Sequence, residues 1–261
     1  TSFHGGFPPL VAPMVAGCAA SVQQGARFPY RATGAILGKV GGENGMAKDG
    51  GLLCVMNDIA PACDRRDYEA WYQQDHLPDR LGIPGFQHAR RYRRLNGPRA
   101  EFLTFYETAT PAVLCSAPYI KRLTEPTAWT ARVMEHFRTM SRSICRVALD
   151  DGQAGAGGLL ALMANNDAPS DGLEAQLAAV LAQPGVTRVR LWRGDPSVTV
   201  PSPEEKLRPG GDASFATIIV VEGTNAEMIQ AALLAQGVTA APTFYSLIFA
   251  SPEKSQKEIT P

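Results

Sequence analysis

The sequence predicts an α+β chain: two β-α-β-β-α-β units in tandem, packed sheet to sheet. Three observations carry this. First, Gly50-Gly51-Leu52-Leu53-Cys54-Val55-Met56 recurs as Gly157-Gly158-Leu159-Leu160-Ala161-Leu162-Met163, with five of seven positions identical. Second, each copy runs on through a helix pattern, a Pro-Gly turn and an Arg-rich strand in the same order, and a repeat on this scale decides the fold before any single element does. Third, strands such as Ile218-Ile219-Val220-Val221 are apolar on both faces and therefore require cover on both.

The elements follow in order. After the first strand, Asp64 can cap a helix, with Asp67 in the favourable first turn. Tyr68, Tyr72 and His76, spaced four apart, share one face of that helix, and Trp71 and Asp75 share the next stripe. Pro78 cannot continue a helix and restricts Leu77 before it, so the helix is expected to end at Asp75-His76. Pro84-Gly85 turns the chain into a strand from Arg90 to Arg94. A strand from Phe102 to Glu107, a further helix and a strand from Ile144 to Leu149 complete the copy. The second copy has its helix from Leu173 to Leu181 and its turn at Pro184-Gly185, with strands at Arg188 to Arg193, Phe215 to Glu222 and Phe244 to Ala250. Two helices cover one face of each four-stranded sheet. The other two faces meet, so the second copy stands where a second molecule would otherwise stand.

Residues 1–49 are expected to be a flexible leader, 50–150 the site-bearing repeat, 151–250 a degenerate repeat and 251–261 a disordered polar tail. Val15-Ala16-Gly17-Cys18 matches a lipoprotein cleavage site in those four residues only. No Lys or Arg precedes it, and Pro8, Pro9 and Pro13 break the apolar stretch. Residues 195–213, with four prolines, form a long loop where the first copy has only residues 96–100.

Composition narrows the function. Apolar residues make up 45% of the 261 and charged residues 19%, which suits a packed core. Basic and acidic side chains number 25 each, which argues against a nucleic-acid partner. Arg90, Arg91, Arg93 and Arg94 divide two and two between the faces of their strand and make no single basic stripe. No apolar run approaches the ~18 residues of a membrane span. Five cysteines without a C-x-x-C pair exclude a cysteine-pair zinc site and make a disulfide framework unsuitable, which fits a reducing cytoplasm.

The two copies differ where a site would be. Gly50 to Pro84 is 34 residues, and Gly157 to Pro184 is 27. The extra stretch falls about Trp71 to Arg80, and the second copy has no His, Trp or Tyr in its helix there. His76 is the candidate acid/base, because an imidazole titrates near neutrality. Asp75 or Asp79 is expected to orient it. Tyr92, on a strand face with His88, Arg90 and Arg94, or an Arg is expected to steady an oxyanion, with His88 or Arg90 as anion anchor and one pair of the arginines suited to a ligand carboxylate. Tyr68, Trp71 and Tyr72 are expected to wall the cavity.

Trp71-Tyr72, His76-Leu77-Pro78, Ile83-Pro84-Gly85-Phe86, Arg91-Tyr92-Arg93 and Leu103-x-Phe105-Tyr106-Glu107 resemble the dimeric α/β-barrel superfamily, closest to its EthD-like small proteins. The resemblance covers residues 50–150; residues 157–250 share only the architecture. It implies a ferredoxin-like unit with a cavity between sheet and helices for a small aromatic, polyketide-like or lactone molecule, and it maps the family's helix-borne histidine onto His76. Members of the superfamily carry out several reactions, and with His76 as acid/base the expectation for this chain is a cofactor-independent isomerase, cyclase, dehydratase or lyase. The family leaves two alternatives: a haem-linked enzyme with His76 or His88 as axial ligand, or a non-catalytic binding barrel. Whether the two-repeat chain forms a homodimer is left open.

Overall fold

The computed structural model describes residues 50–152, 158–198 and 202–252. The expected leader lies outside them, as do residues 153–157 between the repeats and residues 253–261 of the tail. Among the described residues, no helix is long and apolar enough to cross a membrane.

The first repeat holds β1 (Gly51–Ile59), β2 (Phe86–Asn96), β3 (Phe102–Thr108) and β4 (Phe137–Gly152). The second holds β5 (Leu159–Asn165), β6 (Val186–Gly194), β7 (Thr217–Gly223) and β8 (Thr243–Ala250). Hydrogen bonding runs β1-β3-β2-β8-β5-β7-β6-β4 and closes on β1, and the named strand pairs are antiparallel. Two seams join the repeats. β2 pairs with β8, and the far end of β4 leaves β1 to pair with β6 from Cys145 to Gly152. Closure within one chain leaves none of these strands with an open edge.

Side chains alternate across each strand, and the alternation sorts the core into three layers. Leu52, Cys54 and Met56 of β1 point into the barrel, where they meet Phe105, Leu162 and Trp192. Leu53 points outward under the first repeat's helices, into a core rich in aromatic rings. The matching outer layer of the second repeat is mainly aliphatic, with Leu177, Val180, Ile229 and Leu233 under its two helices, α5 (Leu173–Leu181) and α6 (Ala226–Ala235). At the two Pro-Gly turns, Gly85 and Gly185 take φ of +89° and +81°, the left-handed region that glycine enters without penalty.

The helix expected to stop before Pro78 instead runs through it. α1 (Arg65–Trp71) passes into a π-helical turn, Tyr72–His76, and this passes into α2 (Leu77–Leu81). The widened turn is closed by the Leu77 N–H donating to the Tyr72 carbonyl. Pro78 then sits in the first turn of α2, where its missing N–H costs little. Asp75 and His76 therefore lie inside a continuous helical segment, not at its C-terminal end. The first repeat is completed by α3 (Ala117–Thr124) and α4 (Ala128–Met134).

Candidate active site

The π-helical turn decides what the helix presents to the sheet. An extra residue in one turn swings the following side chains around the axis, and such turns recur at functional sites. Here Tyr68, Trp71, Tyr72, His76, Leu77 and Arg80 are all buried along one segment. The start is fixed by the Asp64 carboxylate, which accepts from the Arg66 N–H at 2.9 Å.

His76 is 9% exposed. Its ring lies 4.4 Å from Trp71, 5.3 Å edge-on to Tyr72 and 6.4 Å from Tyr106 of β3, centroid to centroid. Burial, with Arg80 and Arg91 beside it, holds the imidazole well below its ordinary pKa. It is therefore neutral at pH 7 and keeps a lone pair. Trp71 is pinned in turn, its indole N–H donating to the Thr130 hydroxyl at 3.0 Å.

A cavity opens beside His76, between the sheet and helices of the first repeat. Tyr72, Tyr106, Tyr119, Phe137 and Met140 supply aromatic and apolar wall, and Arg80, Arg142, Glu204 and Arg208 supply charge. About 30 Å³ is open to the centres of water-sized spheres, room for one or two waters. The Tyr106 hydroxyl is buried with no hydrogen-bond partner among the described residues, and burial pushes its pKa well above the usual value. Arg142 donates to the Tyr119 hydroxyl at 3.3 Å. Arg80 pairs with Asp79 at 2.6 Å and with Glu204, a residue of the second repeat. Burial disfavours its charge, but Glu204, Tyr119, Tyr106 and Asp79 together leave its pKa raised.

The structure brings His76 together with Trp71 and Tyr72, and places Tyr68 one turn further along the same aromatic cluster. It turns the two aspartates elsewhere. Asp75 accepts from the Thr127 hydroxyl at 2.6 Å and the Thr130 hydroxyl at 3.1 Å, which ties the π turn to the start of α4. Asp79 pairs with Arg80 and, at 3.1 Å, with Arg122.

Tyr92 does not reach the cavity. It faces the barrel interior and stacks on Phe105 at 5.6 Å, with its pKa pushed up to about 12 by burial and by Glu222. Arg90 follows the same parity and lies 3.8 Å from Glu222. His88 is half-buried near the start of that strand. On this side Arg190, fully buried, is 3.2 Å from Glu107, 3.5 Å from Glu222 and 3.6 Å from Asp150, while Arg188 is bidentate to Asp150. The Arg-rich strands thus feed an internal ion network.

Arg91 of β2 faces the helices, on the same side as Phe86 and Ala89. Its guanidinium sits 3.9 Å from the Tyr72 ring centroid and 5.0 Å from that of Tyr68, and it pairs with Glu69. The site expected from the sequence lies on the opposite strand face, with Tyr92 and Arg90. Arg80 continues the four-residue spacing from His76. Arg142, Glu204 and Arg208 had no local signal.

No protein-family model matches the chain. No curated protein matches it either. Among solved structures it is similar to an anthrone oxidase-like protein, at 11% identity and a TM-score of 0.48, over 78% of this chain and 93% of that one. It is similar to a monooxygenase-like protein of Fusobacterium nucleatum at 7% identity and 0.46, over 80% and 97%. A mutant chlorite dismutase of Candidatus Nitrospira defluvii aligns at 9% and 0.47, over 79% and 93%. Likeness this distant says nothing of chemistry, and the fold is established by the strand order itself. A closed ring of eight antiparallel strands, built from two β-α-β-β-α-β repeats with the helices outside, is the dimeric α/β-barrel fold, formed here within one chain.

Proposed function

We propose that this chain is a small-molecule enzyme doing acid–base chemistry without a cofactor, with His76 as the base that takes and returns a proton. The reaction would be an isomerisation, cyclisation, dehydration or related lyase step on a small aromatic, polyketide-like or lactone compound. The observation that carries this is a buried, neutral imidazole on a π-helical turn, facing a cavity lined by Arg80 and by the Tyr106 hydroxyl, which has no partner among the described residues.

The parts suit removal of a proton from carbon next to a carbonyl. The His76 lone pair accepts the proton. Negative charge then develops on the carbonyl oxygen, where the Tyr106 O–H and a guanidinium can donate to it in a site of low dielectric. That anion also reverses the field at His76. The imidazolium formed is stabilised by the charge it created, and its pKa rises toward the range useful for returning the proton. Asp75 and Asp79 enter as positioning residues: the first holds the π turn against α4, and the second helps hold Arg80.

The cavity offers about 30 Å³ with Glu204 and Arg208 seated in it, whereas ligand pockets measure roughly 300–1,000 Å³, so a small substrate enters only once these side chains move, and haem, several times larger, would need far more. The same tightness favours a second reading, a non-catalytic barrel that binds a small ligand or none. His76→Ala separates the two, scored by turnover and by ligand-induced thermal shift against a panel of aromatic acids and lactones. Loss of turnover with binding retained supports the enzyme. Full retention of both sinks the role given to His76.

A further inference from the structure

Glu204 lies in the first repeat's cavity, yet the second repeat supplies it. It sits on a short 3-10 turn, Pro203–Leu207, within the β6–β7 connection, whose first-repeat counterpart is only residues 97–101. That connection is fastened to β4 at both ends. The Asp195 N–H donates to the Ile144 carbonyl at 2.8 Å, and Ala213 exchanges backbone bonds with Met140 and Arg142.

A carboxylate among aromatic side chains is costly unless it is paired, and Arg80 is the partner. Arg80, however, already has Asp79 at 2.6 Å. Glu204 is thus a second carboxylate on one guanidinium, and Arg80 keeps a counter-charge without it. Arg142 and Arg208 face the same cavity, the latter paired with Asp212. With Glu204 withdrawn, the cavity would lose a negative charge and gain the room of its side chain. The Tyr106 hydroxyl would remain a buried polar group without a partner among the described residues.

We propose that the cavity's ligand carries a carboxylate, which docks on Arg80 in place of Glu204, so that Glu204 is an internal stand-in for the substrate's acid group. This rests on the acid–base reading of the same cavity and adds the substrate class to it. A planar carboxylate suits the fork of a guanidinium. The aromatic wall suits a ring attached to that acid. In the closed state Glu204 competes with the ligand, and the apparent affinity is lowered by the fraction of molecules in which the site is vacated.

The probes are benzoate and its neutral isostere benzamide, titrated calorimetrically at pH 7.5 into wild type, Glu204→Gln and the double variant Glu204→Gln/Arg80→Met. Benzoate should bind Glu204→Gln on the order of tenfold tighter than wild type, because the competitor's charge is gone. Benzamide should be unchanged within about twofold, and the double variant should lose the benzoate gain. If Glu204→Gln does not fold, Glu204→Asp carries the test. Its shorter side chain draws the carboxylate back from Arg80, and a smaller gain for benzoate alone is expected.

Equal benzoate affinity in wild type and the Glu204 variants would overturn the proposal. So would an equal gain for benzamide, since the effect would then be one of space. The His76 ring signals, followed by NMR in each titration, locate the probe. If the probes move these signals in wild type but affinity ignores Glu204, the cavity reading stands and the substitute role falls. If neither probe moves them in any protein, both fall.

Discussion

Replacing His76 with asparagine should change how the stability of this protein depends on pH. In the folded chain the imidazole is buried beside Arg80 and Arg91, and its pKa lies well below the ordinary value. In the unfolded chain it returns to about 6.5. Below that pH the unfolded state binds a proton that the folded state refuses, so acidification favours unfolding. At pH 6.5 the cost is RT ln 2, about 0.4 kcal/mol. At pH 5.5 it approaches RT ln 11, about 1.4 kcal/mol, provided the folded pKa lies far below 5.5. Stability from this group is fully present above about pH 6.5 and is lost as the pH falls from there toward the folded pKa. Urea unfolding of wild type and His76→Asn at pH 8.0, 6.5 and 5.5 measures the effect. Other titrating groups contribute to both proteins, so the double difference isolates His76. A loss of about 1 kcal/mol or more at pH 5.5, specific to wild type, is expected. Identical pH profiles would mean that burial does not hold His76 neutral, and a wild type that gains stability in acid would mean that a carboxylate holds the ring.

Asp75→Ala removes the acceptor of the Thr127 and Thr130 hydroxyls. It should cost about 1–2 kcal/mol, or a fall in Tm of roughly 2–8 °C. The pH profile assigned to His76 should stay unchanged; a changed profile would restore Asp75 as the group that orients the ring. Arg190→Met leaves Glu107, Glu222 and Asp150 short of a shared cation in the barrel. It should cost about 3–5 kcal/mol in urea unfolding, with partial recovery when Glu222→Gln is added. A loss under about 1 kcal/mol would mean that the network contributes little to stability.

Much of the fold was legible because its signals are local. The duplicated Gly-Gly-Leu-Leu segment and the Pro-Gly turns mark strand starts by chain geometry, and these survive packing. β4 begins seven residues before Ile144, at Phe137. Its early part carries Arg138, Ser141, Arg142 and Ser143, too polar to stand out as a strand. Three of them are nonetheless buried, by Tyr119 and the β6–β7 connection. The passage through Pro78 was hidden because a π turn depends on how the helix meets the sheet, and a helical pattern alone gives no sign of it.

The site divides the same way. His76, Trp71 and Tyr72 announced themselves by spacing on one helix face. Tyr92 and Arg90 were grouped correctly on one strand face, but that face proved to be the barrel interior. Parity tells which residues travel together and leaves open which side they face. Glu204, 124 residues from Arg80 in the chain, became visible only once the second repeat's long connection was seen to cross to the first.

In the proposed reaction His76 takes a proton from carbon. Deuterium uptake from D2O tests this step without knowledge of the full reaction. Small aryl ketones and butenolides would be incubated with wild type and with His76→Gln, and exchange at the carbon next to the carbonyl read by mass spectrometry. Uptake above the buffer rate is expected with wild type, and the buffer rate with the variant. Equal uptake by the two proteins, whether fast or at background, would contradict that step.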